Sequence, residues 1–421
     1  MNAVVGGHAQ TERRNYAHLV YDIAWFGLAL AATSRFLSVY AIRLGATPID
    51  LGWIAALPAL MLLIFSSFAV WWLHHFKSTR AALMLPGFAF RLLFLLPMFA
   101  PLLPPRWRPL WLIIGASLPA IGQGIAGVIF IIQLRQVIPD TRMASLMGRR
   151  SLALNISVAI GALGFGLLLE QVAFPLNYQL MFGIAFLFAM VSWWHVWRLR
   201  VLSPTATDVV PVAPLQPRTN PWRNANFRSV ALITGILHLA FFAIAPIIPL
   251  FLVRRLDATE GFMAVFGMME LVGGALFSIL APRLIQRFGT RSVMALAMVA
   301  TGFSALIIAW APSLTVTLIA AALSGAAWTA AASVGLMSYF MERTPNGETE
   351  SYSVAFHQAI GLTMFIGPMI GSALANNGAD LVSILVLGAG VRFVAGLLLS
   401  PHIRLRRAAD NASIIPGNGG I

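Results

Sequence analysis

Twelve long apolar stretches dominate the sequence and limit what the chain can fold into. Short polar segments separate them, and a helix needs about 20 mostly apolar residues to cross the hydrocarbon core of a bilayer. The pattern therefore predicts an all-α polytopic membrane protein with twelve transmembrane helices. The predicted spans are residues 19–44, 49–73, 81–103, 109–134, 151–173, 177–197, 228–253, 261–285, 292–311, 313–340, 352–375 and 380–400.

The composition excludes a soluble protein. Only 10% of the 421 residues are charged and 59% are hydrophobic, whereas a soluble surface needs about 25% charged residues. The net charge of +14 is scattered in short clusters between the apolar stretches, which is typical of membrane topology rather than of a nucleic-acid-binding face. There is no cysteine, so a disulfide framework and a cysteine-ligated metal are excluded. The polar first 18 residues predict no removable signal peptide.

The two sides of the chain resemble each other. Three short segments recur in the same order at offsets of 206 to 212 residues, which predicts a parallel repeat of two six-helix halves. The matching segments are 43–47 with 255–259, 76–80 with 288–291, and 138–140 with 344–346.

A polar, proline-rich segment lies almost at mid-chain and has no apolar periodicity, so it is predicted to be an extended linker. The predicted organisation is an N-terminal half at 1–197, a cytoplasmic linker at 198–227, and a C-terminal half with a short cytoplasmic tail at 228–421.

Basic residues are unequally divided between the two sides that twelve spans define. With a cytoplasmic N-terminus, 19 lysine and arginine residues fall on the cytoplasmic side and five on the other. The positive-inside rule therefore predicts that both termini and the linker are cytoplasmic. The expected location is a cell membrane, either plasma or inner.

The loop after the second span of the second half carries a familiar signature, and the corresponding loop of the first half keeps only its basic character. Residues 282–291 contain Arg287, Gly289 and Arg291 at the spacing of the major facilitator superfamily motif, with Gln286 where that motif has an acidic residue. Residues 367–372 are similar to the Gly-Pro-x-x-Gly-Gly motif of drug–proton antiporters. With the six-linker-six plan, the chain resembles this superfamily over nearly its whole length. The resemblance implies a transporter that works by alternating access, with Arg287, Gly289 and Arg291 in a gating loop.

Two carboxylates within the spans are candidates for proton coupling. Glu270 lies near the middle of the eighth span, and Asp22 lies one turn inside the first. An ionisable group at bilayer depth costs about 2.5–3.5 kcal/mol, so it persists where it faces a cavity or a partner. The alternative for Glu270 is a fixed ion pair with an arginine of another span. The alternative for Asp22 is a helix cap or a contact with a loop arginine.

Other polar and aromatic residues are candidates for a solute cavity. Arg35 lies in a first span, which lines the cavity in the resembled family, although its side chain could instead reach the outer interface. The alternative for the two histidines of this set is that each ring only makes a hydrogen bond within the protein and does not contact the solute. The full set is Arg35, Gln123, His238, Trp328, His357 and Gln358. Arg91 and Arg392 are expected to form structural ion pairs.

No catalytic motif accompanies these residues. The sequence has neither a P-loop nor a His-Glu-x-x-His motif, so we expect no enzyme, cofactor or metal. The leading hypothesis is a secondary transporter that moves a small organic solute by alternating access, as proton-coupled efflux. The alternatives are an uptake permease for a sugar or organic anion and a transport-incompetent membrane sensor. The expected partners are the solute, a proton and the bilayer, with no nucleic acid, and we expect a monomer.

Overall fold

The computed structural model describes residues 2–202, 220–345 and 349–400, and these residues form helices and turns without a strand. Eleven helices are long and apolar enough to cross a membrane, and a bent pair of helices provides a twelfth. The predicted all-α architecture with twelve spans is confirmed. The spans are α1 Gln10–Arg43, α2 Pro48–Ser66, α3 Thr79–Phe94 with Leu96–Leu102, α4 Pro105–Val137, α5 Arg149–Gln171, α6 Leu176–Trp197, α7 Ala225–Arg255, α8 Glu260–Phe288, α9 Thr290–Ala309, α10 Leu314–Arg343, α11 Tyr352–Asn376 and α12 Leu381–Leu399.

Two helices extend beyond the apolar stretches. The helix of α1 begins at Asn2, and the helix of α5 begins at Asp140. Both additions are polar, so hydropathy does not reveal them. Within α3 the chain bends by 43° between the two helices, and Pro246 ends a turn at 243–246 that divides α7 without ending the span. Of the predicted linker, residues 203–219 lie outside the described residues.

The parallel repeat is visible in the backbone. The segment after α1 has Gly45 at φ +87°, and the matching segment after α7 has Asp257 at φ +53°. This left-handed conformation suits glycine and is tolerated by aspartate. The next helix in each half begins with a threonine cap: Thr47 forms a capping box at α2, and the Thr259 hydroxyl accepts the Phe262 N–H at 3.2 Å in α8.

The chain forms two compact units. Among the described residues, the first contains residues 2–202, 242–268 and 360–381, and the second contains residues 220–241, 269–345, 349–359 and 382–400. The chain therefore passes from one unit to the other within α7, α8 and α11, and again after the first residue of α12. The division into sequence halves at the linker stays a prediction.

Small residues bring helices close together in both units, as expected for membrane bundles. In the first unit, a Cβ on Gly161 of α5 would lie 2.9 Å from the Leu28 carbonyl of α1. In the second, a Cβ on Gly325 of α10 would collide with the backbone carbonyl of Glu270 on α8.

The two buried arginines do not follow the expectation of structural ion pairs. Arg91, 6% exposed, donates to the Gly87 carbonyl at 2.8 Å and to the Ala189 carbonyl at 3.3 Å. Arg392, 1% exposed, donates to three backbone carbonyls at 2.8–3.1 Å. Helix carbonyls can satisfy a buried guanidinium because its five N–H donors form a fixed fork. The ion-pair prediction is wrong for the contacts that the structure describes.

Candidate functional site

Asp22 lies at the centre of a buried polar network in the first unit. Its carboxylate, 4% exposed, accepts a hydrogen bond from the Ser192 hydroxyl at 2.7 Å and pairs with Arg150 at 3.2 Å. Arg91 donates to the same serine oxygen at 3.3 Å. Two guanidinium groups and one carboxylate therefore share the site, which leaves a formal charge of +1. The pair with Arg150 agrees with the alternative expectation for Asp22, a contact with an arginine.

This network lies on the wall of a cavity of about 250 Å³. Gln123 of α4 also lines the cavity, so two of the predicted residues, Asp22 and Gln123, are brought together. Aromatic rings complete the wall. They belong to Phe26, Phe90, Phe130 and Trp193. Apolar walls with a few converging polar groups are typical of small-molecule sites.

Arg35 lies in a π-helical segment of α1, Ala32–Phe36. The extra residue in a π-helical turn re-aims the neighbouring side chains, and such turns occur frequently at functional sites. The Arg35 side chain passes over Gly267 of α8, where an added Cβ would lie 2.6 Å from the Arg35 Cδ. Glu270, half-buried, follows one turn later on the same helix.

A second π-helical segment, Thr329–Leu336, follows Trp328 in α10. The Trp328 indole stacks on Phe241 with a centroid distance of 4.0 Å and meets His238 edge-on at 5.3 Å. His238 is 5% exposed, and its Nδ1 lies 3.0 Å from the Thr234 carbonyl. Two predicted cavity residues, Trp328 and His238, thus form one aromatic cluster in the second unit.

The remaining two predicted cavity residues lie on α11 and are exposed. His357 Nδ1 lies 2.8 Å from the carbonyl of Ser353 on its own helix, and Gln358 is exposed beside it. In the chain these residues lie within two positions of the passage between units at 359–360. Glu270 lies two positions after Met268, the last residue before the passage in α8. His238 lies three positions before Phe241, the last residue before the passage in α7.

The predicted gating loop is built around a glycine. Gly289 adopts φ +81° and ψ +152° between α8 and α9, a conformation open essentially only to glycine. Arg287 is exposed and lies over the Phe288 ring at 5.3 Å. Arg291 donates to the Leu398 carbonyl at 3.4 Å. The backbone conformation at Gly289 therefore explains why the motif has a glycine there.

An unpredicted polar cluster joins the two repeat segments, residues 44–47 and 256–259, which we call the loop pair. Arg43 contacts both carboxylate oxygens of Glu260, at 2.9 and 3.4 Å, and the Tyr178 hydroxyl donates to the same carboxylate at 3.1 Å. Arg254 donates to the Ala46 carbonyl at 2.7 Å, and Arg43 donates to the Ala258 carbonyl at 3.5 Å. Each segment is thus held by an arginine at the end of the other half's first span.

Glu170 at the end of α5 adds a further contact to the loop pair. Its Oε1 accepts from the Thr259 hydroxyl at 3.0 Å and from the Gly261 N–H at 3.2 Å. The carboxylate therefore satisfies an N–H of the first turn of α8, where negative charge is favourable. All of these residues belong to the first compact unit.

A helical membrane protein of twelve spans with a parallel repeat has the architecture of a secondary transporter. The sequence profile of the Major Facilitator Superfamily matches residues 18–269 and again 230–417, so the chain belongs to this superfamily. Membership indicates a transporter rather than an enzyme. No curated protein sequence matches the chain at a significant level.

Solved structures with the same fold come from transporters of different solutes. A mutant of the nucleoside transporter NupG has 10% identity and a TM-score of 0.70, covering 92% of this chain and 98% of that one. A bacterial homologue of the iron transporter ferroportin has 12% identity and a TM-score of 0.70, covering 92% and 99%. The xylose transporter XylE from E. coli has 12% identity and a TM-score of 0.67, covering 98% and 100%. These likenesses show the fold alone.

Proposed function

We propose that the protein is a secondary transporter that moves a small organic solute by alternating access, as proton-coupled efflux. The observation that carries the proposal is the loop pair. Its two segments occupy matching positions in the two sequence repeats, and they are joined by exposed or half-buried polar contacts. Polar contacts of this kind exchange readily with water, so they can close a pathway and open it again at small net cost.

The solute site is assigned to the cavity beside Asp22. Gln123 offers both donors and an acceptor there, and the aromatic rings offer apolar contact. Asp22 and its arginines fix the local electrostatics. Arg35, His238, Trp328, His357 and Gln358 are proposed as further contacts, and Glu270 is proposed as the coupling group.

The excess positive charge of the cavity favours a second candidate, uptake of an organic anion. Two arginines and one carboxylate belong to the network, and an anionic group on a solute would balance the charge. This candidate differs from the first in solute charge and direction.

A ligand screen followed by transport measurements tests the proposal. The purified full chain in detergent is screened by thermal shift against a library of organic cations, sugars and organic anions, because a ligand of the native state raises its stability by mass action. Gln123→Ala and Phe90→Ala should abolish the shift of a genuine hit. Phe303→Ala, on the α9 surface where Phe303 is 53% exposed, should not.

The same hit is then followed in proteoliposomes with an imposed pH gradient. Accumulation driven by the gradient supports the transporter, and its direction separates efflux from uptake. Specific binding without movement of solute in either direction would contradict transport and favour a membrane sensor.

A further inference from the structure

A second cavity, of about 280 Å³, lies at the end of the first unit where α1 begins and α6 ends. Four of its residues follow one face of α1 at helical spacing, and two follow the end of α6. We call it the basic pocket; its residues are Thr11, Arg14, Asn15, His18, Arg198 and Arg200. The transport cavity and the loop pair include none of these residues.

The basic pocket is held in shape by a buried side chain. Asn15 is 1% exposed, donates to the carbonyls of Val137 at 3.0 Å and Arg200 at 2.7 Å, and accepts the Arg200 N–H at 3.0 Å. The backbone of Arg200 is thus bound on both its donor and its acceptor. His18 is fixed in turn by a contact of 2.8 Å between its Nδ1 and that of His195.

The charge of the pocket is one-sided. Three arginines and a histidine line it, and none of the six lining residues is acidic. The nearest carboxylate in sequence, Glu12, pairs with Arg142 at 3.0 Å. Like charges gathered around one cavity repel one another, and a bound anion removes that cost. Arginine forks also match the geometry of phosphate oxygens.

Aromatic residues place the pocket at the depth of lipid headgroups. Trp194 is 44% exposed, and the Arg198 guanidinium lies over its ring at 4.8 Å. Trp197 and Tyr21 are also exposed, by 47% and 56%. Tryptophan and tyrosine prefer the interface between hydrocarbon and water, so an anion bound beside them can carry acyl chains.

We propose that the basic pocket binds the phosphate headgroup of an anionic phospholipid in the leaflet on the predicted cytoplasmic side. Arg14, Arg198 and Arg200 contact the phosphate, and the exposed Trp194 and Tyr21 contact the upper acyl chain. Basic pockets on this side of membrane proteins suit anionic headgroups. The lipid then ties the start of α1 to the end of α6.

The test uses the full chain, purified in mild detergent and stripped of lipid. Native mass spectrometry measures retention of added phosphatidylglycerol, with phosphatidylcholine as the zwitterionic probe and inorganic phosphate as the soluble anion. Attraction of about 1 kcal/mol for each basic residue is about fivefold in affinity. Arg14→Gln with Arg200→Gln should therefore weaken phosphatidylglycerol retention about 25-fold and leave phosphatidylcholine unchanged.

The matched control removes two arginines outside the pocket. Arg80, stacked over Trp197 at 5.1 Å, and Arg149, over Tyr16 at 5.5 Å, are replaced together by glutamine, and retention should stay within twofold of wild type. Arg14→Lys with Arg200→Lys keeps the charge and should retain most of the lipid, which guards against loss through misfolding.

Three results would overturn the proposal. The first is equal phosphatidylglycerol retention by wild type and the Arg14→Gln, Arg200→Gln variant. The second is a loss in the Arg80, Arg149 control as large as in that variant, which means that total charge and not the pocket binds lipid. The third is full displacement of phosphatidylglycerol by millimolar phosphate, which identifies a site for a soluble anion.

Discussion

Replacing Glu260 by glutamine tests whether the loop pair acts as a reversible closure. The change keeps the size of the side chain and one carbonyl acceptor for the Tyr178 hydroxyl. It removes the negative charge to which the Arg43 Nε and Nη2 groups donate. If the loop pair closes a pathway, the variant should open more often without unfolding.

The expected size of the effect follows from the exposure of the two partners. The Arg43 side chain is 40% exposed and that of Glu260 is 13% exposed. A fully exposed ion pair contributes about 0.2–1 kcal/mol, and a hydrogen bond to a charged group about 1.5–3 kcal/mol. An intermediate loss of about 1.4 kcal/mol is a tenfold change in the open population.

A single cysteine reports the opening because the chain has none of its own. Met263 lies one turn beyond Glu260 on α8 and is 6% exposed, and cysteine is smaller than methionine, so Met263→Cys fits the site. When opening is fast compared with labelling, the rate of maleimide modification tracks the open population. Glu260→Gln in this background should raise that rate about tenfold, and 1 M salt should reduce the difference by screening the half-exposed pair.

A double-mutant cycle separates the ion pair from general damage. Arg43→Ala should also raise the rate, and the two changes together should act no more strongly than the larger one alone, since both remove the same contact. Arg255→Ala is the matched control, because it removes an exposed charge from the position next to Arg254 and leaves the Arg43–Glu260 pair in place. Additive effects in the double variant, or an equal effect of Arg255→Ala, would refute the closure.

Further expectations concern the bundle, the loops and the coupling group. Glu270→Gln should abolish accumulation driven by a proton gradient but spare solute exchange, and accumulation at the wild-type rate would assign coupling elsewhere. Gly325→Ala should lower stability by about 1–3 kcal/mol, because its Cβ would collide with a carbonyl of α8, whereas Gly390→Ala, with open space around it, should be neutral in the same thermal unfolding assay. Gly289→Ala should cost about 1–3 kcal/mol through its backbone conformation, which chemical denaturation measures. A cysteine replacing Ser203 in the predicted linker should resist an impermeant maleimide in intact cells, and ready labelling would contradict the cytoplasmic assignment.

The spans could be predicted from the sequence because their signal is local. A bilayer requires about 20 apolar residues in succession, and each span carries that signal on its own. The helical extensions before the predicted spans, at residues 2–18 and 140–150, carry no such signal, since they depend on backbone hydrogen bonding rather than on hydropathy. The repeat was also visible, because segments 43–47 and 255–259 keep the residues that their shared left-handed turn and threonine cap require.

The contacts of the candidate site could be predicted only in part. Asp22 and Gln123 were recognisable as polar groups within apolar stretches. A contact between Asp22 and a loop arginine was an open alternative, but the sequence does not single out Arg150, because it follows a polar segment that reads as a loop and is helical in the structure. The pairing of Arg43 with Glu260 links positions 217 apart in sequence, and no local pattern specifies such a distance. The π-helical turns beside Arg35 and Trp328 likewise depend on packing and leave no periodicity to detect.

The positions of the two candidate coupling carboxylates favour Glu270 over Asp22. A coupling group must bind its proton with different affinity in the two orientations of the transporter, because equal affinity shifts no population. The described partners of Asp22, on α5 and α6, belong to the same predicted sequence half as α1, so we expect that environment to move with Asp22 unchanged. Glu270 lies on α8 of the second predicted half, one turn beyond Gly267, where the Arg35 side chain of α1 passes, so we expect rocking of the two predicted halves to change the surroundings of its carboxylate. We therefore expect Asp22→Asn to impair solute binding at any pH, whereas Glu270→Gln removes the dependence of transport on the proton gradient. Loss of that dependence in Asp22→Asn alone would reverse the assignment.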